Sequence, residues 1–403
     1  MEMNSQQWKK YLLWFANEHV EFRLPEIESI ASIFNINIKW LETPSTRPYW
    51  VVELPSENAA LQIASRSVGL RSCMELWAEA KTEEELHRNV RAYPHELMKK
   101  YFMPELSFKI NVETFCNHHT QAQKVAKIEL ADGQRDAISK LSLKTRKFIG
   151  NTSMDPQLSL YMANQALVRN GDLVLDPFVG TGSLLVAASH FGAYVLGSDI
   201  DFLMLHGKTR PTRIQKKKER DHDESIRSNM KQYGRASQYL DVIVADAALP
   251  LWHSSFKLDS IITDPPYGIR EATERIGSTK SYQISDHHLA NHIPSKVEYG
   301  LQQIYEDLFR FAAQHLKMGG RLVCWVPVVR DDYSEDKLPT HPCFKVQLML
   351  QYYADGDICN ELTSPSSAVT WFDLPHCSSY LRTDRSQDNE SLHGSYLMFN
   401  GQQ

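Results

Sequence analysis

No stretch of this 403-residue chain approaches the run of about 20 apolar residues needed to cross a membrane. Its six cysteines (Cys73, Cys116, Cys324, Cys343, Cys359, Cys377) are scattered and include no CxxC pair. That excludes the paired-cysteine signature of a structural zinc site and suits a reducing compartment better than a disulfide framework. Positive charge is not in excess either. A net charge of −5 means that any nucleic acid must be held by local basic patches, not by bulk attraction. The opening MEMNSQQWKK lacks the apolar core of a secretory signal, and no internal repeat is visible. A cytoplasmic protein of two or three domains, with no membrane association, is therefore expected.

What is present falls into four segments. Residues 1–64 alternate strand and helix in β-α-β-β-α order: strands at 11–16, 36–41 and 50–54, helices at 24–34 and 57–64. Residues 65–150 hold an apolar, small-residue stretch (67–78) and a helix (82–92) with Thr82 and Glu85 placed as a capping box. A strand at 106–115 and a helical pattern at 121–130 follow. Next comes a basic tract in which Lys140, Lys144, Arg146 and Lys147 are phosphate-binding candidates, although a short basic run is more often a solvated face. From 151 to 354 strands and helices alternate regularly, which predicts a doubly wound, mostly parallel α/β sheet. Residues 355–403, rich in Ser, Asp and Asn, are expected to be a divergent and partly disordered tail.

Within the α/β segment four successive strands end in an acid: Asp176, Asp199, Asp246 and Asp264. Any one of them alone reads as a helix N-cap. Together, at the carboxyl edge of one sheet where such folds bind ligands, they imply a ligand with several donors. The loop after Asp176 carries Gly180 and Gly182, so backbone can approach a ligand closely. It is neither a GxGxxG fingerprint nor a lysine-bearing phosphate loop, and its acid would repel a pyrophosphate but welcome a cation. S-adenosylmethionine carries an ammonium and a sulfonium. Asp199 is placed to accept both ribose hydroxyls and Asp246 the adenine amino group. The candidate cofactor set is Met154, Asp176, Phe178, Gly180, Thr181, Gly182, Asp199 and Asp246, with no metal ligand in it.

The fourth acid opens the turn Asp264-Pro265-Pro266-Tyr267-Gly268. Two prolines stop the preceding strand, since neither donates to a ladder and both fix φ. A carboxylate and the Pro265 carbonyl can accept both hydrogens of a planar amino group, while the Tyr267 ring stacks on the base that carries it. Asp264, Pro265 and Tyr267 are the catalytic candidates.

DPFVGTGS followed by DPPYG resembles the methyltransferases that modify exocyclic base amines. With KTRKFIGNTSMDPQLSLYMANQAL, DIDFLMLHGK, IRSNMKQYG and ITDPPYGIRE, the chain more narrowly resembles the eukaryotic tRNA guanine-10 N2-methyltransferases. That resemblance implies an N-terminal α+β domain, an RNA-binding THUMP region and a Rossmann-like methyltransferase domain. It also implies S-adenosylmethionine as cofactor, tRNA as substrate, and a small zinc-binding activator protein paired to the edge strand at 240–245. Methylation of another amine, such as adenine N6, and a non-catalytic RNA-binding subunit are the alternatives. Two departures stand out. The THUMP region is shortened near 128–131, where Lys127-Ile128-Glu129-Leu130 runs directly into Ala131-Asp132-Gly133-Gln134-Arg135. Beyond about Gln351 the family's closing strand has no match. The basic loop Lys216 to Arg220 is a further RNA-contact candidate, more often a solvated loop.

Overall fold

The computed structural model describes residues 8–80, 82–101, 103, 124–212, 219–268, 271–278, 294–329, 339–352 and 365–373. The chain divides into two compact units, Met1–Arg23 with Phe34–Arg135, and Leu24–Ile33 with Asp136–Gln403.

In the first unit, period-two patterning makes the strands. In β3 (Tyr49–Leu54) Trp50, Val52 and Leu54 are buried while their neighbours are half-buried. This strand pairs antiparallel with β1 (Lys9–Phe15), Leu12 opposite Val51. Along the chain, helix α1 (Arg23–Phe34), whose Leu24–Ile33 falls in the second unit, the short β2 (Lys39–Trp40) and α2 (Glu57–Ala64) follow in the expected β-α-β-β-α order. The sheet does not stop at residue 64. β4 (Leu70–Ala80) joins the other side of β1, and β5 (Lys124–Asp132) adds to β4, giving the order β2-β3-β1-β4-β5. Residues 124–130 are thus strand where a helical pattern was expected. The open edge of the eleven-residue β4 presents backbone groups that must be paired, and this outweighs local propensity. The strand expected at 106–115 lies outside the described residues. α3 (Glu83–Ala92) starts where Thr82 Oγ1 accepts from Glu85 N at 3.2 Å, as its cap predicts, and α4 (His95–Met98) follows. Buried Glu75 of β4 collects Lys9 Nζ (3.1 Å), Tyr93 OH (2.9 Å) and Tyr101 OH (3.1 Å), fastening the segment after α3 to the sheet.

The second unit is built on a seven-stranded sheet. After α5 (Arg135–Lys140) and α6 (Pro156–Gln165) come β6 (Leu173–Asp176), α7 (Ser183–His190), β7 (Tyr194–Asp199), α8 (Phe202–Leu205), α9 (Ile226–Gln232), β8 (Tyr239–Val244) and β9 (Leu258–Thr263). A small hairpin, β10 (Glu274–Ile276) with β11 (Lys296–Glu298), precedes α10 (Leu301–His315), β12 (Leu316–Val329), β13 (Lys345–Tyr352) and β14 (Pro365–Asp373). The order is β13-β14-β12-β9-β6-β7-β8. β12, β9, β6, β7 and β8 run parallel, and β14 lies antiparallel between β12 and β13. Residues 365–373 are therefore strand, not the disordered tail expected there. Backbone pairing on two sides, Cys324 with Thr370 and Met349 with Thr370, holds them despite weak local patterning.

The core sits where α10 lies on the sheet. Its Ile304, Tyr305, Leu308, Phe309 and Ala312 recur at helical spacing and are buried. Tyr305, Leu308, Phe309 and Ala312 pack against Leu258, Ile261, Leu322 and Cys324. From β6 the chain steps outward to β7 and β8, then returns to the other side of β6 at β9. The strand order thus reverses between β6 and β9, the position at which open α/β sheets bind ligands. β8 ends the sheet, with Leu240, Ile243 and Val244 exposed by 49%, 40% and 43%.

Candidate active site

Because β9, β6, β7 and β8 are adjacent and parallel, Asp264, Asp176, Asp199 and Asp246 come to one sheet edge, as the strand-end pattern predicts. Asp176 is buried, and its Oδ1 accepts from Phe178 N (3.1 Å) and from Thr263 Oγ1 (2.7 Å). Burial pushes its carboxyl up to about 8; the two donors act against the rise, and the charges of Asp199 and Asp264 add to it.

The loop from Asp176 to Ser183 is clasped to the end of β7. Val179 N donates to Ser198 O, and Gly180 N to Asp199 Oδ2 at 2.8 Å. Gly180 and Gly182 hold φ of +48° and +79°, a region that costs a side-chain-bearing residue strain. Space above Gly180 is open, whereas a Cβ on Gly182 would stand 2.8 Å from Ile226 Cγ2. Asp199 takes its second hydrogen bond from Asp201 N at 2.9 Å, and burial raises its pKa. Asp246 is also engaged: Oδ1 accepts from Ala248 N (2.9 Å) and Oδ2 from Ile276 N (2.7 Å), which ties the β10–β11 hairpin to this edge. A carboxylate offers about four acceptor positions, so Asp199 and Asp246 both retain capacity for a ligand.

Residues 150–156 reach the same loop. Asp155 is the cap of α6, accepting from Gln157 N (2.8 Å) and Leu158 N (3.2 Å), with Pro156 at the first turn. Ser153, two residues before that cap, shares a 2.6 Å hydrogen bond with Thr181 Oγ1. The bond places Met154, half-buried, beside the glycine loop. Phe178 turns its ring against the hydrophobic core, leaving its backbone as the part that meets the site.

In the turn after β9, Pro265 is buried and Gly268 closes it at φ +80°. The Tyr267 hydroxyl donates to Asp264 Oδ1, while Oδ2 has no hydrogen bond among the described residues. Burial pushes the Asp264 carboxyl up to about 6, with the Tyr267 hydroxyl acting against it, and holds Tyr267 itself well above its ordinary value.

Two of the basic residues read as RNA-contact candidates, Arg146 and Arg220, are engaged inside the fold. Arg146 is buried and donates to Ser183 Oγ (2.9 Å), Leu141 O (2.9 Å) and Tyr233 OH (3.2 Å), bracing the start of α7. Lys140 pairs with Asp136, and Lys147 with Asp223 at 3.1 Å; Lys144 is exposed. Of the loop from Lys216 to Arg220, residues 216–218 lie outside the described residues. Arg220 is buried against Glu224 (2.8 Å) and donates to Ile149 O (3.0 Å). Sequence reasoning missed Thr263, Ser153 and the pair formed by Asn229 with Phe148, whose backbone N and O it binds at 2.8 and 2.7 Å. These contacts span tens of residues and carry no local motif.

Two family models match the chain: the Tmrp11 THUMP N-terminal domain over residues 9–131, and the RMKL-like methyltransferase domain over 144–292. Among curated relatives, the tRNA (guanine(10)-N(2))-methyltransferase TRMT11 of Gallus gallus is 41% identical over 440 aligned positions, covering 98% of this chain and 93% of its own. The alignment is longer than this chain, so the relative carries residues absent here. The Homo sapiens counterpart is 40% identical, covering 84% of this chain and 83% of its own; that of Dictyostelium discoideum is 32% identical, covering 84% and 78%. With its four acids gathered at one sheet edge and such identity along most of its length, the chain belongs to the tRNA (guanine(10)-N(2))-methyltransferase TRMT11 family.

Proposed function

We propose that this chain transfers a methyl group from S-adenosylmethionine to the exocyclic N2 of guanosine 10 in tRNA. The carrying observation is the partly buried Asp264 at the end of β9, directly after Thr263, whose hydroxyl binds Asp176 across the point where strand order reverses.

The cofactor supplies an electrophilic methyl on a sulfonium that departs as a thioether. Its adenosine and methionine parts fit the groups present: open space over Gly180, and carboxylates at Asp176, Asp199 and Asp246 suited to a cationic ligand rich in donors. Guanine N2 is a poor nucleophile because its lone pair is delocalised into the ring. Asp264 and the Pro265 carbonyl accept its two hydrogens, which turns the lone pair out of conjugation and toward the methyl. Asp264 then takes the proton that the amine must lose. The Tyr267 ring stacks on the extruded base, and most of the rate comes from holding the reacting atoms at near-attack distance.

RNA delivery falls to the 9–131 region matched by the THUMP model. We assign its shortening to the neighbourhood of 128–131, in keeping with an alignment longer than this chain. The open edge of β8 is where a small zinc-binding activator protein pairs in a heterodimer, since unpaired backbone beside exposed Leu240, Ile243 and Val244 is a template for an added strand. The cytoplasm is the proposed location. The test is methyl transfer to unmodified tRNA, with and without the activator, followed by nucleoside analysis. N2-methylguanosine is expected; N6-methyladenosine, or no methylated nucleoside with the activator present, contradicts the reading.

A further inference from the structure

Thr263 ends β9, and its side chain is fully buried. Backbone pairing of β6 with β9 runs to Leu175 opposite Ile261. Beyond it the two strands are joined by side chains, through the 2.7 Å bond from Thr263 Oγ1 to Asp176 Oδ1. The bond crosses the point where strand order reverses. On one side Asp176 Oδ1 also accepts from Phe178 N, which sets the first turn of the glycine loop; on the other, the residue following Thr263 is Asp264. Buried threonines commonly satisfy their hydroxyl on a nearby backbone carbonyl. Thr263 uses a carboxylate of the site.

We propose that Thr263 is a positioning residue that fixes the Asp176 carboxylate for the methyl donor and sets its spacing from Asp264. The inference rests on the assignment of Asp176 to the cofactor. Two donors converge on Oδ1, and Oδ2 has no hydrogen bond among the described residues, so the carboxylate is held in one orientation with Oδ2 presented to a ligand. The hydroxyl also favours the ionised form of Asp176, which a cation needs, against burial and the like charges of Asp199 and Asp264 that face it.

The test is calorimetric titration of the full chain with S-adenosylhomocysteine, the demethylated cofactor, from pH 6 to 9. Thr263→Val keeps the shape and removes the donor; Thr263→Ser keeps the donor. In Thr263→Val the pH midpoint of binding rises by about one unit, and affinity at pH 7 falls about tenfold; Thr263→Ser stays within about twofold of the wild type on the same scale. Should Thr263→Val prove unfolded at the assay temperature, Thr263→Ala carries the same comparison. An unshifted midpoint in the valine or alanine variant, or a serine variant as impaired as they are, overturns the proposal. Asp176→Asn separates the two levels. Full affinity there defeats the assignment of Asp176 to the cofactor, whereas weak binding there with normal binding in Thr263→Val defeats the role of Thr263 alone.

Discussion

The hydroxyl of Tyr267 donates to Asp264 Oδ1, three residues earlier in the same turn. Acid and ring are therefore one unit. Pro265 and Pro266 fix φ at consecutive positions between them, and Gly268 at φ +80° ends the turn. The bond also stabilises the charged form of a carboxylate that burial pushes up to about 6.

Tyr267→Phe keeps the ring and removes that donor, so the Asp264 pKa rises further. On the proposed role transfer needs the ionised acid, so wild-type activity is expected to fall as pH drops through about 6. In the variant the loss begins higher, by about one unit, with rates converging above pH 8. A pH profile of kcat/KM checks this; an unshifted acid limb contradicts it. Tyr267→Ala, which also removes the stacking face, loses about 1–3 kcal/mol at every pH.

Asp176→Asn tests the electrostatics through stability. Burial holds the folded Asp176 at about 8, against 3.8 ordinarily, so between those values the folded chain binds a proton that the unfolded chain does not. Stability from this group is full below the unfolded value and is lost as pH rises through the folded one. Without cofactor, Asp176→Asn therefore gains Tm relative to wild type more at pH 8 than at pH 6. A difference independent of pH contradicts the shift.

Arg146→Met removes three hydrogen bonds made by a buried guanidinium. A loss of about 3 kcal/mol in unfolding free energy is expected, against almost none for exposed Lys144→Glu. Denaturant unfolding checks it. Wild-type stability with weakened, salt-dependent tRNA binding would return Arg146 to the phosphate-binding role first read for it.

How much of this was legible in the sequence follows from distance along the chain. The four acids were visible because each ends an apolar run, and parallel pairing brings such ends together. The cap of α3 was visible because Thr82 and Glu85 act within one turn. Arg146 was not, since its partner Ser183 lies 37 residues away and a short basic tract reads the same whether solvated or buried. Residues 124–130 and 365–373 take their conformation from neighbouring strand edges, β4 in one case and β12 with β13 in the other. Local pattern holds no record of such edges.

The β8 edge makes a separate forecast. Ile243→Lys places a charge on the exposed apolar strand face. It should improve solubility of the lone chain and weaken assembly with the activator at least about tenfold, a loss of about 1.4 kcal/mol, by pull-down and sedimentation. A lone wild-type chain that is soluble, monomeric and fully active contradicts the heterodimer.

The most direct measurement pairs two assays on Asp264→Ala: calorimetric affinity for S-adenosylhomocysteine and single-turnover methyl transfer to unmodified tRNA in the presence of the activator. If Asp264 positions and deprotonates the guanine amine, cofactor affinity stays within about twofold while transfer falls by about a thousandfold or more. Retained transfer, or cofactor affinity lost together with it, would contradict that role.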